Sequence, residues 1–155
     1  KSLETIGDGA FYCCYGIKTI NFKEIQDESE LKYIGKEAFS DTEIGNTGGI
    51  WDLYIPKKVE KIGERCFANC QYIEGIVSIP NSVKDIGKKA FVDSAYINEI
   101  DISSWLEIPR FMYEKRMIFS GVGAGSQIHS HSSRIIKAPD IASDDLWNDI
   151  LIDNH

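Results

Sequence analysis

What this chain has little of narrows it before any pattern is read. No apolar run reaches the roughly 18 residues that a membrane-crossing helix needs, so no such span is expected. Positive charge is short: 17 lysines and arginines stand against 24 aspartates and glutamates, for a formal net charge of −7. A field of that sign repels phosphates, which argues against nucleic acid or an anionic membrane surface as partner. No Asn-x-Ser/Thr sequon occurs. Lys1-Ser2-Leu3 opens without a signal peptide and reads as the start of a mature or truncated piece. Hydrophobic content, at 43%, suits a single globular domain, provided its small units stack to build a core.

What the sequence does have is repetition. The stretch from Asp52 to Cys70, DLYIPKKVEKIGERCFANC, sets an order of residue types that recurs along most of the chain. Other copies are Leu3, Ile6, Gly7, Ala10, Phe11, Cys14; then Leu31, Ile34, Gly35, Ala38, Phe39; then Pro80, Val83, Ile86, Gly87, Ala90, Phe91. Phe11, Phe39, Phe67 and Phe91 are separated by 28, 28 and 24 residues, a solenoid's period. The longer intervals carry extra residues in different places, QDESE before Leu31 and GNTGG at Gly45 to Gly49. Insertions that move around a fixed frame read as surface loops, because a packed coil has no room for them.

The pattern LxxIxIPxxVxxIGxxAFxxC resembles the BspA-type, or Treponema pallidum-type, leucine-rich repeat, over about two thirds of the chain. Departures are Thr42 and Ser94 where the family has Cys, Phe22-Lys23 in place of Ile-Pro, and one residue more between Ile76 and Pro80. The resemblance implies an α/β chain by class convention: a β-rich, right-handed horseshoe solenoid with a parallel concave sheet and a short C-terminal capping helix. It is read as one domain over 1–155, with repeats in 1–104, a degenerate repeat and loops in 105–134, and a strand-helix cap in 135–155. The resemblance also implies a secreted or cell-surface, non-enzymatic adhesion module that contacts host or neighbouring-cell proteins.

Alternation in Ile17 to Phe22 predicts a concave strand with Ile20 and Phe22 inward and Thr19 and Asn21 outward. Asp52 to Ile55, roughly Ile76 to Ile79, and Ile97 to Ile102 are its equivalents. Stacked in parallel, they would expose Thr19, Asn21, Asp52, Tyr54, Val77, Glu99 and Asp101 on one face. Thr19, Asn21, Asp52, Tyr54, Glu99 and Asp101 are the candidate partner-binding residues, with Tyr54 as a central aromatic anchor and the acids favouring a basic partner. The same carboxylates would suit acid-base catalysis only with a fixed His, Lys or second carboxylate beside them, which the pattern does not supply. Gly7, Gly35, Gly63 and Gly87 read as tight bends onto the convex side. Leu3 to Phe11 is the convex half of a first coil without a preceding strand, so its edge is expected to be uncapped.

The remaining chemistry-bearing residues read as structure. Cys14 and Cys70 share a repeat position and Cys66 stands where other copies have alanine, so all three are expected as small buried residues with free thiols; Cys13 is off the frame. A Cys66/Cys70 metal pair lacks partners at finger spacing. Trp105 to Met117 is the one basic stretch with interleaved aromatics, which would suit a nucleic acid or glycan, but Trp105, Phe111 and Met112 read as cover for the last repeat. Gly121 to Gly125 has no helix after it to make a dinucleotide fingerprint, although Phe119 just before it echoes the repeat. His129 and His131 lie on one side of a polar strand, without a third ligand. Ile135 to Pro139 reads as a last strand, and Ser143 as the cap of a helix with Leu146/Ile150 and Trp147/Leu151 pairs. No cofactor or metal is expected. A protein-binding module leads; a structural spacer or stalk carrying another domain is the alternative, with a glycan-binding module or an enzyme ranked below.

Overall fold

One 24- to 28-residue unit has too little apolar surface to fold alone, so its isoleucines and phenylalanines find cover only on the next unit. The computed structural model describes residues 3–125, 136–141 and 143–154. In chain order the elements are β1 Thr5–Ile6, α1 Phe22–Ile25, β2 Tyr33–Ile34, β3 Leu53–Tyr54, β4 Lys61–Ile62, β5 Ile76–Ser78, β6 Asp85–Ile86, β7 Glu99–Asp101, a 3-10 turn Arg110–Tyr113, β8 Ile136–Lys137 and α2 Asp144–Asn154. They form two parallel sheets of four strands, β1-β2-β4-β6 and β3-β5-β7-β8. The molecule is a β-solenoid.

The second sheet is the first difference from expectation. The Ile-Gly segment, read as a convex bend, is itself a strand in each coil, in register Ile6↔Ile34, Ile34↔Ile62 and Ile62↔Ile86. Strands of two residues are too short for alternation to be seen in the sequence. The repeat glycines serve close approach rather than turning. A Cβ on Gly35, Gly63 or Gly87 would lie 2.5, 2.4 and 2.2 Å from the backbone nitrogens of Asp8, Lys36 and Glu64 in the preceding coil.

Turning falls instead to residues two before and two after each repeat phenylalanine. Gly9, Glu37, Arg65, Lys89 and Met117, and Cys13, Asp41, Asn69, Asp93 and Gly121, all have φ between +53° and +76°. That left-handed conformation costs a non-glycine residue on the order of 1 kcal/mol. It turns alternate amides along the solenoid axis: Gly9, Phe11 and Cys13 donate to the carbonyls of Lys36, Ala38 and Ser40 in the next coil, at 2.8, 2.8 and 3.0 Å. The same trio recurs from Glu37, Phe39 and Asp41 and from Arg65, Phe67 and Asn69.

Inside this ladder the phenylalanine rings stack. Centroids are 5.1 Å apart for Phe11–Phe39, 5.3 Å for Phe39–Phe67, 5.4 Å for Phe67–Phe91 and 6.0 Å for Phe91–Phe119. Phe119 therefore belongs to a full turn of the stack inside the stretch expected to be degenerate. Trp105, Phe111 and Met112 are buried against the core, as expected. At the position shared by Cys14, Thr42, Cys70 and Ser94, small side chains serve phenylalanine carbonyls: Thr42 Oγ1 and Cys70 Sγ donate to Phe39 O at 2.9 and 3.2 Å, and Ser94 Oγ to Phe67 O at 2.7 Å. Thr, Ser and Cys thus make the same kind of hydrogen bond at this position.

Two strand expectations fail. Ile17 to Phe22 is not a strand; Phe22 is buried, but it starts the helical turn α1, which packs on β3. Phe22-Lys23 stands here in place of the Ile-Pro that follows β3 and β5. Val77, expected outward, pairs with Leu53 and Ile100, and all three are fully buried. Counting back from Pro56 and Pro80 puts Leu53 and Val77 in phase, so the outward residues of β5 are Ile76 and Ser78.

The C-terminal end is closed by dedicated groups. Ser143 caps α2 as predicted, its Oγ accepting from Leu146 N at 3.2 Å. Trp147 and Ile150 are buried, whereas Leu146 is partly exposed. Asn154 O accepts the Phe119 amide at 2.7 Å, in the place a further coil's carbonyl would take. Within the array, Trp105 Nε1 donates to Ile79 O at 3.1 Å. Ile136–Lys137 forms the expected last strand, while Ile135 and the Leu151 side chain lie outside the described residues.

The GNTGG insertion is only partly a free loop. Gly45, at φ +97°, has its missing Cβ 2.1 Å from Tyr72 O, whereas Gly48 and Gly49 face open space. Deleting residues 46–49 should therefore change stability by no more than about 1 kcal/mol, while Phe67→Ala should cost about 3 to 5 kcal/mol. Urea denaturation of the two variants checks this; equal midpoints would contradict the packing described.

Candidate interaction surfaces

Register fixes what the β3-β5-β7-β8 sheet shows to solvent. Tyr54 sits opposite Ser78, Ser78 opposite Asp101, and Asp101 opposite Lys137, with Ile76 beside Glu99. Adjacent strands lie about 4.8 Å apart, so these side chains form a continuous row. Tyr54, Glu99 and Asp101 are thus brought together on one face. Thr19 and Asn21 are exposed but not on this ladder; Asn21 precedes α1. Tyr54 lies on the first strand of the sheet rather than near its centre, and Lys23 Nζ of α1 stands 5.1 Å from its ring centroid.

The carboxylates differ in how committed they are. Asp52 Oδ1 accepts the Ile76 amide at 2.8 Å and so holds a strand start. Asp101 Oδ1 accepts from the Ser103 amide and hydroxyl at 2.9 and 2.6 Å, and its Oδ2 lies 4.0 Å from Lys137 Nζ. Glu99 has no such partner among the described residues.

The basic stretch resolves into structure more than site. Arg110 is exposed, and Lys115 lies 3.6 Å from Asp153. Arg116 is largely covered. Its Nη1 donates to Ile86 O at 2.7 Å and to Asp85 Oδ1 at 2.6 Å, its Nε to Glu114 Oε2 at 2.9 Å, and its guanidinium lies 5.8 Å from the Phe111 ring. Ile6, Ile34 and Ile62 carbonyls accept the amides of Gly35, Gly63 and Gly87; for Ile86 the guanidinium takes the role of the next glycine. Burial disfavours its charge, but the hydrogen bonds to Asp85 and Glu114 outweigh that and raise its pKa. Nothing in the sequence distinguished Arg116 from Arg110.

Among the described residues no group of three or more His, Cys, Asp or Glu is placed to hold a metal, and His129 and His131 lie outside them. No helix there is long and apolar enough to cross a membrane. The four cysteines carry free thiols; Cys66 and Cys70 are buried, whereas Cys14, expected in the core, is only half-buried, like Cys13. No described coil precedes Cys14 to cover it. Burial pushes the Cys66 thiol well up and the Cys70 thiol to about 12.

A family model described as the BspA type leucine-rich repeat region, in six copies, matches residues 45–132. The chain belongs to this family. The match runs past Ile102 and so takes the stretch around Phe119 into the repeat array, where the ring stack also places it. No curated protein and no solved structure matches the chain.

Two outcomes follow for the BspA-type coil packing. Arg116→Ala should destabilise the fold by about 1 to 3 kcal/mol, because a buried carbonyl loses its donor, and Arg116→Lys should recover only part; thermal unfolding reads both. In native protein at pH 8, Cys13 and Cys14 should alkylate at least about 100-fold faster than Cys66 and Cys70, since the thiolate is the nucleophile. Peptide mapping after iodoacetamide checks this, and all four thiols should react in denaturant.

Proposed function

We propose that the chain is a non-enzymatic protein-interaction module of a cell-surface or secreted protein, and that it docks a partner on the outward face of the β3-β5-β7-β8 sheet. The observation that carries this reading is the row Tyr54, Ser78, Asp101, Lys137 with Ile76 and Glu99 alongside, set in register by the parallel ladder. A rigid row of mixed aromatic, apolar and acidic side chains is what a solenoid has to offer a protein. Tyr54 supplies the residue type enriched at interface hot spots. Glu99, free of a partner among the described residues, and the net charge of −7 favour a basic partner that adheres from a host or neighbouring cell. Asp52, with its oxygen on a backbone amide, contributes to the row mainly by holding β5 in place. Thr19 and Asn21 belong to the flank of this surface at most. A second reading, a spacer carrying another domain, is favoured by the open face of the first coil.

Tyr54→Ala with Glu99→Lys should weaken binding to a cognate partner at least tenfold, measured by equilibrium titration with circular dichroism as a fold check. Arg110→Glu with Lys115→Glu, in the basic stretch, should leave affinity within about twofold, a difference of under about 0.5 kcal/mol. Loss in the second variant alone would sink the proposal.

A further inference from the structure

The two ends of the solenoid are built differently. At the C-terminal end, backbone groups that a further coil would have met are taken by the Arg116 guanidinium and Asn154 O. At the N-terminal end the corresponding groups have no partner among the described residues. Lys32 and Tyr33 donate to Glu4 O and Gly35 to Ile6 O, yet the equivalent amides of the first coil, those of Glu4, Thr5 and Gly7, donate to nothing described. Carbonyls of Asp8, Ala10 and Tyr12, whose equivalents Lys36, Ala38 and Ser40 each accept an amide, are likewise unused. Thr5, Gly7 and Ala10 of this set also line an apolar cavity of about 690 Å³, together with Leu3, Ile6, Phe11, Ile17, Ile20 and Phe22.

The side-chain pattern of this face repeats that of the interfaces already formed. Phe11 stacks on Phe39 with one ring face and presents the other to the cavity. Gly7 is the informative residue: its counterparts Gly35, Gly63 and Gly87 have no room for a Cβ because a coil lies against them, while a Cβ at Gly7 would meet nothing within 4 Å. We infer that this face is a docking surface for one further coil of the same repeat, stacked in parallel and joined ahead of Leu3 in the same polypeptide. Its glycine would lie against Gly7 and its phenylalanine on Phe11. Its turn amides would reach Asp8, Ala10 and Tyr12, and its carbonyls would accept from Glu4, Thr5 and Gly7. Such a coil continues the β1-β2-β4-β6 sheet and the ring stack; the other sheet ends at β3, where α1 packs alongside.

The test extends the protein by one coil. A copy of residues 3–30 placed directly ahead of Leu3 reproduces the 28-residue step between Gly7 and Gly35. The extended protein should melt at least about 5 °C higher than the 155-residue chain and bind less of the apolar dye ANS. Gly7→Ala should be silent in the 155-residue chain yet lower the melting temperature of the extended one as Gly35→Ala does. A second extension, made from a copy of residues 31–58 in the same phase, guards against one unit failing to fold. No rise in stability from either extension, or a silent Gly7→Ala in both backgrounds, would overturn the inference. So would a dimer of the 155-residue chain, seen by sedimentation and dissolved by Phe11→Glu, because the face would then belong to a second copy.

Discussion

Every coil depends on hydrogen bonds that leave it. Within the turn around each repeat phenylalanine, alternate amides bond back within the turn, as from Ala10 to Gly7, and the others reach the next coil, as from Phe11 to Ala38. The arrangement needs two left-handed residues per turn, whose conformational cost recurs in each coil. Stacked rings about 5 to 6 Å apart offset that cost only when two coils are present together. Stability is therefore a property of neighbouring pairs and not of single units.

Much of this was legible because the apolar residues obey one frame. Phe39, Phe67 and Phe91, the isoleucines before glycine, and Leu53 with Ile55 all occupy the inward positions that the repeat assigns. Ser143, set before two aspartates, marked the start of α2 for reasons of capping chemistry. On the candidate surface, Tyr54, Glu99 and Asp101 fell on one face as alternation required.

What was not legible has physical causes of four kinds. Two-residue strands such as Lys61–Ile62 are too short to carry a period, so the second sheet stayed hidden. Left-handed residues such as Glu37, Arg65 and Lys89 are not of the types that usually betray that conformation, since the packing around them, not their own preference, imposes it. Arg116 and Asp52 look like surface charges in the sequence, and only the positions of Ile86 O and Ile76 N turn them into structural partners. The segment 17–22 failed for a fourth reason: alternation was present, but α1 rather than a strand lies beside β3.

The hydrogen-bond directions carry one more consequence. Turn amides point forward to the next coil, whereas the amides of Gly35, Gly63 and Gly87 point back to the one before. Each coil thus has a front and a rear that fit each other but not themselves, like bricks with studs and sockets. Two fronts brought together would set amide against amide where turn meets turn and carbonyl against carbonyl where strand meets strand, so the array has a polarity. In genetic terms, an in-frame duplication or loss of a whole unit preserves both faces and alters only the number of coils. Length is then the most freely varied property of such a molecule, and reach can be adjusted without redesigning any surface.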